Sequence, residues 1–279
     1  MRPTIAILDT GIAPVPELKS NLVTTVDFVG DKAHFYDDNG HGTHVAGVCV
    51  QVNPQVGLVA VKVLDFEGRG SSASALAGVQ WVIDNRKKYG IRVANLSIGA
   101  MDSGSGDPLV RAVEAAWDAG VVMVIAAGNG GPHASSVTSP GTSRKVITVG
   151  AYDDSNCTDA YGASLINFSG RGPTSECIIK PDILASGCGI VSLLSNSPEM
   201  SAERLVALDK VGNNKVRMSG TSMAAPFVSG AISLLLEKNP QLTPDEVKLA
   251  IKRSAKDLGL PRNRQGFGQL DADMLLRRL

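Results

Sequence analysis

Three short stretches of this 279-residue chain carry residues able to do chemistry. The first is Met218-Ser219-Gly220-Thr221-Ser222-Met223-Ala224-Ala225-Pro226, just ahead of the apolar run 227–236. Small residues crowd one hydroxyl there. Gly220 permits a tight turn that a side chain would block, and Pro226 is tolerated in a first helical turn, where amides lack partners. Ser222 is therefore expected at a helix N-terminus, among unpaired N–H donors and the positive end of the dipole. Charge developing on a substrate carbonyl would meet fixed donors at such a place. Taken alone, the stretch reads first as a serine N-cap, and Ala224 departs from the Gly-x-Ser-x-Gly elbow. A nucleophilic Ser222 needs a base and a carboxylate to orient that base.

The second stretch, Asp37-Asp38-Asn39-Gly40-His41-Gly42-Thr43-His44-Val45-Ala46-Gly47, supplies two candidate bases. His41 and His44 are three apart and share a face if helical, so a metal pair is one reading. A zinc site of that kind usually carries a Glu within the motif, and Gly42-Thr43 offers none. The other reading makes His41 a general base at a helix start, with flanking glycines that admit substrate, and His44 a packed, hydrogen-bonded neighbour. The third stretch, Ile5-Ala6-Ile7-Leu8-Asp9-Thr10-Gly11, ends a strand-like run in an acid. Asp9 is a turn former on one reading. Asp-Thr-Gly is also found in aspartic proteases, but those need two such carboxylates in an all-β frame, and only one occurs here.

The elements that must position these residues alternate. Short β-branched runs at 4–8, 58–63, 92–96, 121–126 and 146–151 are separated by helical spacing at 74–89 and 108–119, where Leu76, Val79, Val82 and Ile83 mark one face. Nearly all-apolar strands alternating with helices predict an α/β fold, a parallel sheet covered on both faces. Functional residues in such sheets collect at the carboxyl ends of the strands. No repeat or linker divides the chain, so one domain over 1–279 is expected. The polar section 194–216, helix-like at 201–209, reads as a surface insertion. Nucleotide binding shares this frame, but no Gly-x-Gly-x-x-Gly opens a helix after the first strand.

In chain order the three stretches run Asp9, His41, Ser222. Asp-Thr-Gly, His-Gly-Thr-His-Val-Ala-Gly and Gly-Thr-Ser-Met-Ala-Ala-Pro in that order resemble the signature blocks of the subtilisin-like serine proteases, over nearly the whole chain. Tyr36-Asp37-Asp38-Asn39-Gly40-His41, Asn167-Phe168-Ser169-Gly170-Arg171-Gly172-Pro173 and Lys180-Pro181-Asp182-Ile183-Leu184-Ala185 are similar to the bacterial intracellular, AprX-like branch. The resemblance implies a three-layer α/β/α fold and a serine endopeptidase with Asp9, His41 and Ser222 as triad. It places Asn129, in Ala126-Ala127-Gly128-Asn129-Gly130-Gly131, as the side-chain donor of the oxyanion hole. Ser97, Ile98 and Gly99, with Gly70, Ser71 and Ser72, would bind substrate backbone as an added strand. Ala126, Ala127 and Gly128 would line the pocket for the residue before the cut. Thr138 stands where relatives often carry Gly at that pocket's floor, which shortens it. Ser72 and Ala75 replace bulky residues further along the cleft, which leaves that subsite open. A non-catalytic peptide-binding relative would normally lack a triad member, and none is missing.

No cofactor is expected for the chemistry. Segment 49–59 is shorter than the calcium loop of secreted relatives, so a structural calcium is left unassigned, with Asp37 and Asp38 as possible ligands. The expected partners are peptide or protein substrates. Lys+Arg and Asp+Glu both number 27, a balance that gives no support for nucleic-acid or anionic-membrane binding. No apolar run approaches the length of a membrane span. Met1-Arg2-Pro3-Thr4 leads directly into a strand-like run with no signal-peptide h-region. A cytoplasmic location is expected, or secretion if a leader or prodomain has been removed. Cys49, Cys157, Cys177 and Cys188 match no zinc spacing. They read as reduced, partly buried thiols, with a Cys157–Cys177 disulfide as the alternative.

Overall fold

The computed structural model describes residues 2–99, 106–159 and 163–277. Its centre is a seven-stranded sheet made of β1 (Thr4–Asp9), β2 (Leu22–Asp27), β3 (Gly57–Lys62), β4 (Ile91–Leu96), β5 (Val122–Ala126), β6 (Ile147–Ala151) and, later in the chain, Ile183–Ala185. Two short strands intervene, β7 (Cys157–Thr158) and β8 (Ser164–Leu165), which makes Ile183–Ala185 β9. The order across the sheet is β2-β3-β1-β4-β5-β6-β9, and every neighbouring pair is parallel. β1, β3, β5 and β6 are buried along their whole length. That is why they read as continuous apolar runs rather than alternating ones.

Helices cover both faces. α1 (His41–Val52) and α5 (Thr221–Lys238) pack together on one side, and α2 (Ser72–Tyr89) and α3 (Pro108–Asp118) on the other. The three-layer α/β/α expectation is met. α2 opens with Ser71 and Ser74 exchanging side-chain-to-backbone bonds and closes on left-handed Gly90. The chain leaves β1 toward β3 and β2, then returns past β1 to β4, β5, β6 and β9. The sheet therefore changes direction between β1 and β4, and the carboxyl ends of those two strands flank a crevice. Asp9 ends β1, and Ser97 follows β4.

Two expectations need correction. Pro226 lies in the second turn of α5, as its sixth residue, because the helix starts at Thr221 and continues through it. The carbonyl it deprives of an N–H is that of Ser222, four residues back. Section 194–216 is also more than surface. Its helix α4 (Ala202–Ala207) is exposed, but Ser195, Ser197, Leu208 and Val216 are buried. The section also supplies β11 (Asp209–Val211) and the start of β12 (Lys215–Met218) to a second sheet, in which β12 pairs antiparallel with β10 (Ile190–Leu193) and β11. Ser195 Oγ donates to Asp37 O at 2.7 Å, and Arg204 Nε donates to Asn39 O at 3.0 Å, so the section braces the loop ahead of α1. Short α6 (Pro244–Ser254), α7 (Arg262–Gln265) and α8 (Ala272–Arg277) complete the described chain. No described helix is long and apolar enough to cross a membrane.

Candidate active site

Asp9 is fully buried at the end of β1, where its carbonyl accepts Val63 N and Leu64 N and fixes the strand end. Its Oδ1 accepts Thr10 N at 2.8 Å and meets His41 Nδ1 at 2.7 Å. His41 is the first residue of α1. The helix comes this close because residue 42 is glycine: a Cβ there would fall 2.1 Å from Gly11 O and 3.2 Å from Asp9 Cβ. The opening amides of α1 are all provided for. His41 N donates to Asn39 Oδ1, Gly42 N to Thr10 Oγ1 and Thr43 N to Asp37 Oδ2. Burial works against a charged His41, but the charge and hydrogen bond of Asp9 outweigh it and hold the imidazole above its ordinary value.

His44 takes a different role. It is fully buried and its Nε2 donates to Ile190 O at 3.0 Å, as expected of a packed neighbour. Burial pushes its pKa down to about 4, so it stays neutral. Asp37 is the buttress of the loop. Its carboxylate accepts Thr10 Oγ1, Asn39 N, Gly40 N, Thr43 N and Thr43 Oγ1. Asp38 faces the buried Lys62 ammonium at 2.8 Å, which also donates to Thr10 O and Leu64 O. Carboxylates aimed at N–H, O–H and ammonium donors do not fit a calcium ion, so Asp37 and Asp38 are set aside as ligands. Among the described residues no group of three His, Cys, Asp or Glu side chains is arranged for a metal.

Ser222 is the second residue of α5 and opens on the same cleft as His41. In this state its Oγ donates to Ser97 O at 3.3 Å. Asn129 lines the cleft as well. Its Oδ1 accepts both Thr221 N and Thr221 Oγ1, at 2.9 and 3.0 Å, which orients the amide and leaves Nδ2 as the donor end. Thr221 Oγ1 in turn accepts Gly128 N. Gly220, with φ of 144°, brings its Cα so close that a Cβ would sit 3.0 Å from Asn129 Nδ2. The positioning roles of Thr10, Lys62 and Thr221 escaped the sequence reading, and Asp37 entered it only as a possible calcium ligand. Only Asp37 left a signal there, an acid placed shortly before helix-opening amides.

The cleft, about 610 Å³, collects Gly70, Ser71, Ser72 and Ala75 from the start of α2 and Ser97, Ile98 and Gly99 from the end of β4. Leu64 and Leu109 add apolar wall. Ala126, Ala127, Gly128 and Thr138 stand back from it. Ala126, the last residue of the interior strand β5, and Ala127, just after it, are buried. Thr138 is wedged between two glycines: a Cβ on Gly99 or Gly128 would fall 2.4 or 2.6 Å from its Oγ1. The cysteine expectation fails for two of the four. Cys157 is bonded to Cys188, Cys177 is free and exposed, and Cys49 is free and buried. Folding brings the paired Cα atoms to 5.7 Å across 31 residues, a proximity that spacing cannot reveal.

Comparison with known proteins identifies the family. Residues 2–269 match the model of the subtilase family, peptidase S8. The chain is 43% identical over 267 residues to the serine protease AprX of Bacillus subtilis (strain 168), covering 89% of this chain and 60% of that one. It is 34% identical to subtilisin BL of Lederbergia lenta, covering 98% of this chain and 90% of that one. Among solved structures, a cold adapted subtilisin-like serine proteinase superposes with a TM-score of 0.74 at 31% identity, over 96% of this chain and 86% of the other. The chain belongs to the subtilase family.

Proposed function

We propose that this chain is a serine endopeptidase that cleaves peptide bonds through an acyl-enzyme. The observation that carries the reading is the 2.7 Å bond between His41 Nδ1 and the buried Asp9, in a cleft shared with Ser222 and Asn129. Asp9 holds the proton on Nδ1 and so leaves Nε2 as the basic nitrogen. A rotation of Ser222 about its Cα–Cβ bond turns the hydroxyl from Ser97 O toward that nitrogen. The Oγ attacks the carbonyl as His41 takes its proton, and the oxyanion meets Asn129 Nδ2 and the Ser222 N–H. His41 then protonates the leaving amine, and water releases the acyl group in a second round. These steps draw only on this chain's own residues and water.

Substrate backbone adds as a strand along residues 97–99, with 70–72 as the facing edge. A carbonyl held by Ser222 and Asn129 directs the side chain of its own residue toward the space between Gly99 and Gly128. Thr138 fills that space, so a small residue is selected before the cut. The opening beside Ser72, Ala75 and Leu109 accepts a large apolar side chain further upstream. A fluorophosphonate should label Ser222, and Ser222→Ala should lose turnover by roughly 10⁶-fold. In a peptide library the wild type should prefer Ala or Ser before the scissile bond, and Thr138→Gly should gain Phe and Tyr. An unlabelled Ser222 in folded protein refutes the protease assignment. A wild-type preference for Trp or Tyr refutes the shortened pocket alone.

A further inference from the structure

Proline at position 226 leaves a specific debt at the nucleophile. In an unbroken helix the N–H of residue 226 would serve the carbonyl of Ser222, and a proline has none. That carbonyl is served from the sheet instead: Ser97 Oγ donates to Ser222 O at 3.2 Å. The direction of the bond is fixed by what lies behind it. Ser97 Oγ accepts Asn95 Nδ2 at 2.8 Å, which leaves its own proton for Ser222. Asn95 Oδ1 accepts Ser229 Oγ at 2.9 Å, which sets the orientation of the amide. Asn95 and Ser229 are fully buried. Residues 222, 226 and 229 share a face of α5, and Asn95 of β4 lies two residues before Ser97, just past the strand's end, so one hydroxyl–amide–hydroxyl relay spans the contact between helix and strand end.

We infer that Ser97 is a positioning residue for the nucleophile, its hydroxyl standing in for the N–H that Pro226 lacks and holding the first turn of α5 against the end of β4. The inference rests on Ser222 being the nucleophile. The peptide planes carrying the Ser222 N–H and Ser222 O are hinged at the Ser222 Cα, so a bond that anchors Ser222 O restrains the Cα from which Oγ swings and, through it, the N–H proposed for the oxyanion. A partly buried carbonyl without a donor draws the turn toward another donor within reach. Small displacements of reacting groups are enough to cost roughly 10²-fold in rate.

The test is a double-mutant cycle read as separate kcat and KM on a small-residue peptide. Ser97→Ala should lower kcat roughly tenfold to a hundredfold with KM changed by less than about threefold, and slow fluorophosphonate labelling in parallel. Pro226→Ala restores an N–H four residues after Ser222. In the Ser97→Ala background it should recover most of the lost kcat, which a general loss of packing at Ser97 would not allow. Unchanged kcat in Ser97→Ala overturns the inference, as does a double variant no faster than Ser97→Ala. Wild-type protein that no fluorophosphonate labels at Ser222 would instead bring down the underlying protease reading.

Discussion

At the scale of residues, the Asp9–His41 pair sets the pH range of the proposed chemistry. The base must be neutral to accept a proton, and Asp9 holds His41 above the ordinary histidine value. The acid limb of kcat/KM should therefore lie above the range of a free histidine, with activity falling as pH drops through it. Asp9→Asn removes the charge and replaces one carboxylate oxygen by an N–H₂ donor, so the proton is no longer held on His41 Nδ1. The limb should move down in pH, and the rate at its plateau should fall roughly 10⁴-fold. Peptide hydrolysis between about pH 5 and 9, with the labelled fraction as a measure of intact sites, checks both. A limb that stays in place in Asp9→Asn would show that another group titrates. Asp9, His41, Ser222 and Asn129, the proposed triad and oxyanion donor, could be singled out in the sequence because each sits in a short motif that local chemistry restricts. Thr10 and Thr221 could not, because a hydroxyl that orients a neighbour has no signature until folding supplies that neighbour.

At the scale of elements, the proposed base and nucleophile each lie at the start of a helix, so the contact between α1 and α5 sets their separation. That contact is close. A Cβ on Gly230 would fall 2.6 Å from Val52 Cβ and 3.2 Å from Cys49 O, and nearby Asn53 Nδ2 donates to Ser233 Oγ. Two effects of Gly230→Ala oppose each other. Helix propensity favours Ala by roughly 1 kcal/mol, whereas overpacking a tight contact costs about 1–3 kcal/mol. Cβ against Cβ leaves no flexible side-chain end to yield, so the contact wins. The variant should be less stable to urea than wild type and slower in kcat; a more stable variant would mean the helices part without strain. The strands of the central sheet were legible where both faces are buried. β2 was missed because its residues are mostly half-exposed and polar at Thr24 and Thr25, and β9 because it has only three residues. Pro226 was placed a turn too early because the compensating donor lies on another element.

At the scale of the molecule, segments far apart in sequence converge on α1, and the fold's response to acid follows from one of them. Sequence order announced Asp9, His41 and Ser222, but nothing in it announced that section 194–216 braces Asp37, or that β10 receives His44. His44 Nε2 donates to Ile190 O, 146 residues away, and burial keeps the imidazole neutral with a pKa of about 4. In the unfolded chain the same group titrates near 6.5. Above that value both states are neutral and His44 adds no pH dependence. Below it the unfolded state takes up a proton that the folded state refuses, so stability falls as pH drops toward 4 and then levels off for this group. The loss across that window is roughly 3 kcal/mol. Glu199 acts lower: His34 and Ser197 hold its carboxyl at about 2 against an ordinary 4.5, so its contribution disappears mainly below the His44 window. Urea unfolding of the Ser222→Ala protein, which removes self-cleavage, should show stability declining from pH 7 to 4. Adding His44→Gln, whose amide can replace the Nε2 donor and does not titrate, should flatten the upper part of that decline. An unchanged slope would place the acid sensitivity elsewhere in the fold.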